Sequence, residues 1–132
     1  MSFATDVQRF AVKSEKQVDT TIRAITFALF REVIQRTPVD TGRLKGNWQA
    51  SVGSPVTGTV TTTDKDGSST VASMAAAIGG WGSKTFLTNN LVYAHRIEWD
   101  GWSHTKSPQG MVRVSLARIN AIVAKAARDN RV

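Results

Sequence analysis

Apolar and small residues recur every three or four positions over the first part of the chain, from about Thr5 to Arg36. This spacing places them along one side of an α-helix and predicts a single long helix. At 1.5 Å per residue the helix would run about 45 Å, which exceeds the roughly 30 Å width of a small domain. Part of its apolar side is therefore expected to be covered by another subunit. The positions concerned are Val7, Ala11, Ser14, Val18, Ile22, Ile25, Leu29 and Val33.

The segment Thr37–Leu44, with the sequence TPVDTGRL, is predicted to end this helix and to start a strand. Pro38 cannot donate a backbone hydrogen bond and pushes the residue before it out of helical geometry. Gly42 can adopt a positive φ, which most other residues avoid. An ordinary helix-to-strand turn would use the same residue types. The candidate turn and interface residues are Pro38, Asp40, Gly42 and Arg43.

Four later segments are predicted to be β-strands. Leu44–Val52 alternates between apolar and polar residues, as in a half-buried strand. The β-branched run Val56–Thr63 is predicted to pair with it as a hairpin. Two further strands are predicted at Thr85–Leu87 and Leu91–Trp99.

Two helices complete the predicted order. Asp64–Gly67 predicts a turn, after which Ser68 or Ser69 can cap a short helix that ends at Gly79–Gly80. A terminal helix is predicted from about Ser107 to Arg128. The chain is therefore predicted to be α+β, with a long N-terminal helix and a C-terminal helix packed on a mostly antiparallel sheet that carries a long hairpin or loop.

The terminal helix is predicted to have two distinct sides. At about 100° per residue, one side gathers apolar residues and the opposite side gathers cations. The predicted core side comprises Val112, Leu116, Ile119, Val123 and Ala126. The basic side comprises Lys106, Arg113, Arg118, Lys125 and Arg128. Such a side can be a solvated surface or a surface that faces nucleic acid, and charge patterning alone leaves both open.

Composition bounds the class of protein. With 132 residues, of which 41% are hydrophobic, residues 1–132 are expected to form one domain. The net charge is +7, and six of the Lys and Arg residues lie in residues 101–132 against a single Asp. This excess favours a polyanionic neighbour. The absence of cysteine excludes disulfides and thiolate metal sites. No apolar run approaches the roughly 18 residues of a membrane span, and a soluble, unsecreted protein is expected.

One cluster of side chains has the chemistry of a metal or acid–base site: His95, Glu98, Asp100 and His104. On the predicted strand Glu98 and Asp100 would share one face and His95 would lie on the other, so the cluster does not converge. Phosphate-binding glycine loops, nucleophile elbows and metalloprotease helices are absent from the sequence. We predict no enzymatic activity, no metal and no cofactor.

The four tryptophans divide into a core residue and candidate surface anchors. Trp48 is predicted to lie in the core. Trp81 stands among glycines, and Trp99 and Trp102 stand in a Gly-containing loop, where an aromatic side chain can anchor a protein interface. Stacking on single-stranded nucleic acid is the alternative, but the basic residues nearby do not form the pattern of a stacking platform.

Several segments occur in an order that resembles a known family. A TPVDTG turn precedes a strand that carries Trp48, then a YA-x-x-IE segment that ends at Glu98, then a P-x-GMVR helix start from Pro108 to Arg113. This order, over most of the chain, resembles the tail-completion (neck, or head–tail joining) proteins of long-tailed bacteriophages. The stretch Gly53–Ser69 departs from the family pattern, as does the segment Trp99-Asp100-Gly101-Trp102.

The resemblance implies a structural virion protein of the phage neck, assembled in the host cytoplasm. It implies a homo-oligomeric ring, of six copies, between the head connector and the tail tube or tail terminator proteins, with genomic DNA in its channel. Basic side chains would contact DNA without sequence specificity. The candidate DNA-channel or partner-facing residues are Arg113, Arg118, Lys125 and Arg128. Intersubunit salt bridges are an equal alternative for Arg43, Arg96 and Arg113.

Two other functions remain open at this level. A tail terminator protein, which caps the tube during tail assembly, would share most of these features. A small basic nucleic-acid-binding protein is favoured only by the pI of about 10.4 and the basic terminal helix.

Overall fold

The fold is seen in a computed structural model, which describes residues 3–39, 41–91, 94, 98 and 111–129. These residues form an α+β structure, which confirms the predicted fold class. Its elements, in chain order, are α1 Phe3–Gln35, α2 Arg43–Gly46, β1 Gln49–Val52, α3 Ser68–Ala77, β2 Thr85–Thr88, α4 Val112–Ala117 and α5 Ile119–Asp129.

The first helix agrees closely with its prediction. It spans 33 residues and is therefore about 50 Å long at 1.5 Å per residue. Its C-terminal part lies in the core, where Val33 and Ile34 are almost fully buried. Val7 and Val18 in its N-terminal half are 50% and 41% exposed. The helix thus extends beyond the core formed by the described residues.

The strand predicted at Leu44–Val52 is wrong over its first half. Residues 43–46 form the single-turn helix α2, and only Gln49–Val52 is a strand. The backbone N–H of Gly46 donates to the Gly42 carbonyl, and the Asn47 side-chain amide donates to the Arg43 carbonyl. Leu44 and Trp48 are both buried and four apart, a spacing that fits a helix turn as well as a strand face.

The sheet within the described residues has two strands. Strands β1 and β2 are antiparallel, with Gln49 opposite Thr88 and Val52 opposite Thr85. The hairpin strand predicted at Val56–Thr63 does not form, because the backbone of this segment is hydrogen-bonded to side chains instead of to a strand edge. Its contacts include the Val60 N–H to Asn47 Oδ1 and the Gln49 side-chain amide to the Gly58 carbonyl, both at 2.9 Å.

Two predictions for the C-terminal third are also wrong. In the segment predicted as the strand Leu91–Trp99, the described residues Ala94 and Glu98 are helical. The described part of the terminal helix is two helices, α4 and α5, because the chain leaves helical geometry at Arg118.

The buried side of α4 and α5 also differs from the prediction. Met111, Ser115 and Ile122 are buried, whereas Leu116 and Val123 are 49% and 39% exposed. The core that these helices cover comprises Val33, Ile34, Leu44, Trp48, Met74, Leu91, Ala94 and Met111. None of the helices, over the residues that the structure describes, is long and apolar enough to cross a membrane.

Candidate functional site: two structural motifs and a basic groove

The turn after α1 is built on a buried hydrogen-bonded pair. The Thr37 hydroxyl donates to the Val33 carbonyl at 2.8 Å, and the Trp48 indole N–H donates to the Thr37 oxygen at 2.7 Å. Both side chains are buried. The pair joins the end of α1 to the residue just before β1 and so sets the position of the sheet against the long helix.

Gly42 confirms the prediction of a positive φ, which is +89°. Its carbonyl accepts the N–H groups of Gly46 and Asp64, each at 2.9 Å. A Cβ at this position would lie 2.7 Å from the Asp64 nitrogen, so the loop backbone leaves no room for a side chain. Gly42 is therefore a site of close packing within the subunit.

The other turn candidates have different environments. Pro38 is half-buried, and Arg43 is exposed, with its backbone N–H donating to the Thr41 hydroxyl at 3.3 Å. Asp40, Trp99 and Trp102 lie outside the described residues.

The cap of α3 is formed by aspartates, not by Ser68 or Ser69 as predicted. The buried Asp64 carboxylate accepts the Gly67 N–H at 3.0 Å and both the N–H and the hydroxyl of Thr70, at 2.8 and 2.7 Å. Asp66 accepts the N–H and the hydroxyl of Ser68, which hold the pKa of Asp66 below its ordinary value. These caps satisfy backbone donors that the first turn of a helix leaves without partners.

Glu98 caps α4 in the same way from a distant part of the chain. Its Oε1 accepts the N–H groups of Met111 and Val112 at 2.8 and 2.6 Å, and Oε2 accepts the N–H and Nε of Arg113 at 3.1 and 3.0 Å. Burial alone would raise the pKa of Glu98, but hydrogen bonds from Val112, Arg113 and Met111 and from the Arg113 side chain lower it below its ordinary value.

This arrangement gives structural roles to two residues for which the sequence indicated other chemistry. Glu98 was a candidate metal or acid–base residue, and its carboxylate is instead bound by the start of α4. The other members of that cluster, His95, Asp100 and His104, lie outside the described residues. Arg113 was a candidate for DNA contact, and its guanidinium binds both the carboxylate and the carbonyl of Glu98.

The remaining predicted cations meet at a groove between α1 and α5 with a volume of about 650 Å³. Three of them, Arg118, Lys125 and Arg128, come from the terminal helices, and α1 adds Arg31, which the sequence analysis missed. The apolar lining comprises Ala24, Phe27, Ala28, Ala121 and Ile122. No single helix could have indicated this groove, because α1 and α5 are far apart in sequence.

Arg118 lies on the α1-facing side of the groove, not on a separate basic side as predicted. Its NH1 is 2.6 Å from Glu32 Oε1, and the same oxygen is 2.9 Å from Arg36 Nε. The Arg118 side chain is 54% exposed. The ion pair therefore connects the junction of α4 and α5 to α1, and part of the Arg118 guanidinium remains exposed to solvent. Lys125 and Arg128 are exposed on the α5 wall.

A family model matches residues 2–98 of the chain, and its description is "Bacteriophage HK97-gp10, putative tail-component". No curated protein and no solved structure matches the chain. The match covers the long helix, the turn at Gly42, both strands and the residue that caps α4. It confirms the resemblance to phage tail proteins that the order of motifs indicated. The chain belongs to the HK97 gp10-like family of bacteriophage tail components.

Proposed function

We propose that this tail component is a structural protein of the phage neck, which joins the head connector to the tail tube as an oligomeric ring around the DNA channel. Residues 1–132 would form its single domain, and its site in the virion would be reached after assembly in the host cytoplasm. The protein would act by binding other subunits and not as an enzyme.

The proposal rests on the hydrogen bonds of two motifs, the turn after α1 and the Glu98 cap of α4. The polar groups of Thr37, Trp48 and Gly42 form their hydrogen bonds inside the subunit, and Glu98 binds the start of α4 together with Arg113. Among the described residues, every buried side-chain nitrogen or oxygen has a hydrogen-bond partner. The motifs therefore stabilise the fold of the subunit. Its exposed helices and its basic groove are the surfaces proposed to bind partners.

A ring is supported by the length and the surface of α1. The helix is about 50 Å long, and Val7 and Val18 lie on one side of its exposed half, 11 residues apart. At about 100° per residue these two side chains differ by only about 20° in direction. Exposed apolar residues in line on a helix favour cover by another protein. The copy number of six comes from the resemblance to tail-completion proteins.

We assign the proposed DNA contact to Lys125 and Arg128. Of the other two candidates, Arg113 is paired with Glu98 and Arg118 is paired with Glu32 within the subunit. Lys125 and Arg128 are exposed on one wall of the groove, where they can meet phosphate groups of any sequence.

Cryo-electron microscopy of the intact virion tests the location. Density for a ring of this chain between connector and tail tube is expected. Recovery of the protein on isolated tails that have never joined a head would identify a tail terminator instead. Tight binding to one short duplex sequence at physiological salt would identify a small nucleic-acid-binding protein.

DNA contact is tested with the double variant Lys125→Gln/Arg128→Gln. Binding to a mixed-sequence duplex is expected to weaken, and the slope of log affinity against log salt to fall by up to about 0.9 for each phosphate group that the variant no longer neutralises. The matched control is Lys65→Gln/Lys84→Gln, which removes the same charge from exposed residues outside the groove. Equal effects of the two variants would show that net charge, and not this surface, governs binding.

A further inference from the structure

The loop between α3 and β2 carries Trp81, whose side chain is 64% exposed. A tryptophan is among the residues that most often anchor protein interfaces, because it buries a large area with few rotatable bonds. Because the Trp81 side chain is exposed, its apolar area is accessible to a partner.

The backbone of the loop at Trp81 is hydrogen-bonded to α1. The Trp81 backbone N–H donates to Asp19 Oδ1 at 2.9 Å, and Asp19 pairs with Arg23 at 2.9 Å. Arg23 also donates to the Ile78 carbonyl at 3.2 Å, so α1 is hydrogen-bonded to the loop on both sides of Gly79 and Gly80. Gly80 packs directly against the side chains of Asp19 and Arg23. The Trp81 N–H, followed by the Arg23 side chain, lowers the pKa of Asp19. These hydrogen bonds hold the Trp81 backbone against α1 without a partner, which reduces the entropy lost on association.

The groove between α1 and α5 is a concave site that suits an aromatic side chain. Its volume of about 650 Å³ lies within the range of about 300–1,000 Å³ typical of ligand pockets. Ala24, Ala28 and Ala121 keep it open because their side chains are short. The Arg31 guanidinium already lies over the Phe27 ring, 5.8 Å from its centre. A second aromatic ring could stack on the other face of that guanidinium.

Trp81 and the groove lie on different sides of α1. The loop meets α1 at Asp19 and Arg23, whereas the groove meets it at Ala24, Ala28 and Arg31. At about 100° per residue the two sets are separated by roughly 130° around the helix. A projecting group on one side and a receiving groove on another can join copies head to tail. Contacts of that kind close into rings when the rotation between copies permits.

We propose that Trp81 of one subunit inserts its indole into the α1–α5 groove of a second copy of this chain and stacks on Arg31. The inference rests on the proposed ring and names its intersubunit contact. The groove walls keep Lys125 and Arg128 at the surface, so the same subunit can still meet phosphate groups.

The chain has no cysteine, so a disulfide trap reports the contact directly. One variant carries Ser83→Cys beside Trp81, and the other carries Ala121→Cys in the groove. Mixed under mild oxidation, they are expected to form a disulfide-linked heterodimer at a yield at least five-fold above that of Ser83→Cys mixed with Ser54→Cys. Ser54 is an exposed residue that does not line the groove.

Adding Trp81→Ala to the Ser83→Cys variant is expected to reduce the yield at least ten-fold, and Trp81→Phe is expected to retain part of it. The melting temperature should not change with either, since Trp81 is mostly exposed. Equal yields with and without Trp81, or with Ser54→Cys, would overturn the inference.

Sedimentation of the wild-type protein and of Trp81→Ala separates this inference from the proposed function. A ring that forms equally well with both would support the proposed ring and overturn the Trp81 contact. Open chains that depend on Trp81 would support the contact and contradict the ring. If Trp81→Ala blocked virion assembly while no cross-link formed, Trp81 would belong to another partner and the inference would be wrong.

Discussion

Replacing Gly42 by alanine is expected to destabilise the protein strongly, because the position combines an unfavourable φ with a filled space. The φ of +89° costs an alanine roughly 1–2 kcal/mol. The new Cβ would also lie 2.7 to 2.9 Å from backbone atoms of Asp64 and Lys65. Overpacking of this kind costs about 1–3 kcal/mol. The free energy of unfolding should therefore fall by about 2–5 kcal/mol in total.

Gly53 provides a matched control for this substitution. Its φ is +92°, and a Cβ there would meet no atom within 4 Å. Gly53→Ala is therefore expected to lose only the conformational part, roughly 1–2 kcal/mol. The difference between the two variants isolates the contact of Gly42 with the loop at Asp64.

Urea denaturation followed by tryptophan fluorescence measures both changes, and equal m-values would show that the unfolding reaction is the same. If Gly42→Ala and Gly53→Ala agreed within about 0.5 kcal/mol, the close approach at Gly42 would have no energetic weight and the reasoning would fail. Gly42→Asn provides a further check. Because asparagine tolerates positive φ, turn chemistry alone predicts only a small loss of stability for this variant. Its Cβ would nevertheless meet the same backbone atoms of Asp64 and Lys65 as that of alanine.

Three more outcomes follow from the hydrogen bonds of the site. Glu98→Gln should lower stability by about 1–3 kcal/mol near neutral pH, because a buried charged acceptor is lost. Since the folded state lowers the Glu98 pKa, the carboxylate's contribution is complete above the ordinary glutamate value of about 4.3 and is lost as the pH falls through the lower folded value. The difference between wild type and Glu98→Gln in urea melts should therefore narrow in acid, and a constant difference would contradict the cap. In the same melts, Trp48→Phe should cost about 1 kcal/mol or more, since the buried Thr37 oxygen loses its indole donor, and Thr37→Val should cost more than Trp48→Phe, because it also removes the hydroxyl that donates to the Val33 carbonyl. Arg118→Gln should cost at most about 1 kcal/mol, because its pair with Glu32 is half exposed, and that small loss should shrink further in high salt.

The sequence predicted the long helix well because its signal is repeated many times. Eight positions along Thr5–Arg36 agree on one helical side, and the observed helix ends within a residue of the predicted end. The strand at Leu44–Val52 failed for the opposite reason. Leu44 and Trp48 fit either a helix turn or a strand face, and the Asn47 side-chain hydrogen bond that decides for a helix turn is not visible in polarity.

The sides of the terminal helix were misjudged because a helical wheel assumes one unbroken helix. The chain leaves that geometry at Arg118, and Glu32 of α1 draws the Arg118 guanidinium to the side that faces α1. Leu116 and Val123 are left half-exposed on a neighbouring side. A helical wheel shows the direction in which a charged side chain leaves its helix. Which direction faces the rest of the protein depends on the partner of that side chain on another element, here Glu32.

The candidate site was the least predictable part because its contacts join distant segments. Glu98 and the start of α4 are 13 to 15 residues apart along the chain, and Asp64 meets Gly42 although α2 and β1 lie between them in sequence. Periodicity carries no information about such pairs, although the joint presence of the IE and GMVR segments was a signal that could have suggested one.

The two motifs in this chain fix the positions of its helices relative to the sheet and to one another. Thr37 and Trp48 join α1 to the sheet, while Glu98 and Arg113 anchor α4 and thereby place α5 beside α1. The groove exists because the Glu98 cap and the Arg118–Glu32 ion pair hold α5 close to α1, and the alanines on both helices leave the space between them open. A change at Glu98 should therefore alter assembly without touching any residue that a partner contacts, whereas a change at Trp81 should alter assembly without altering stability.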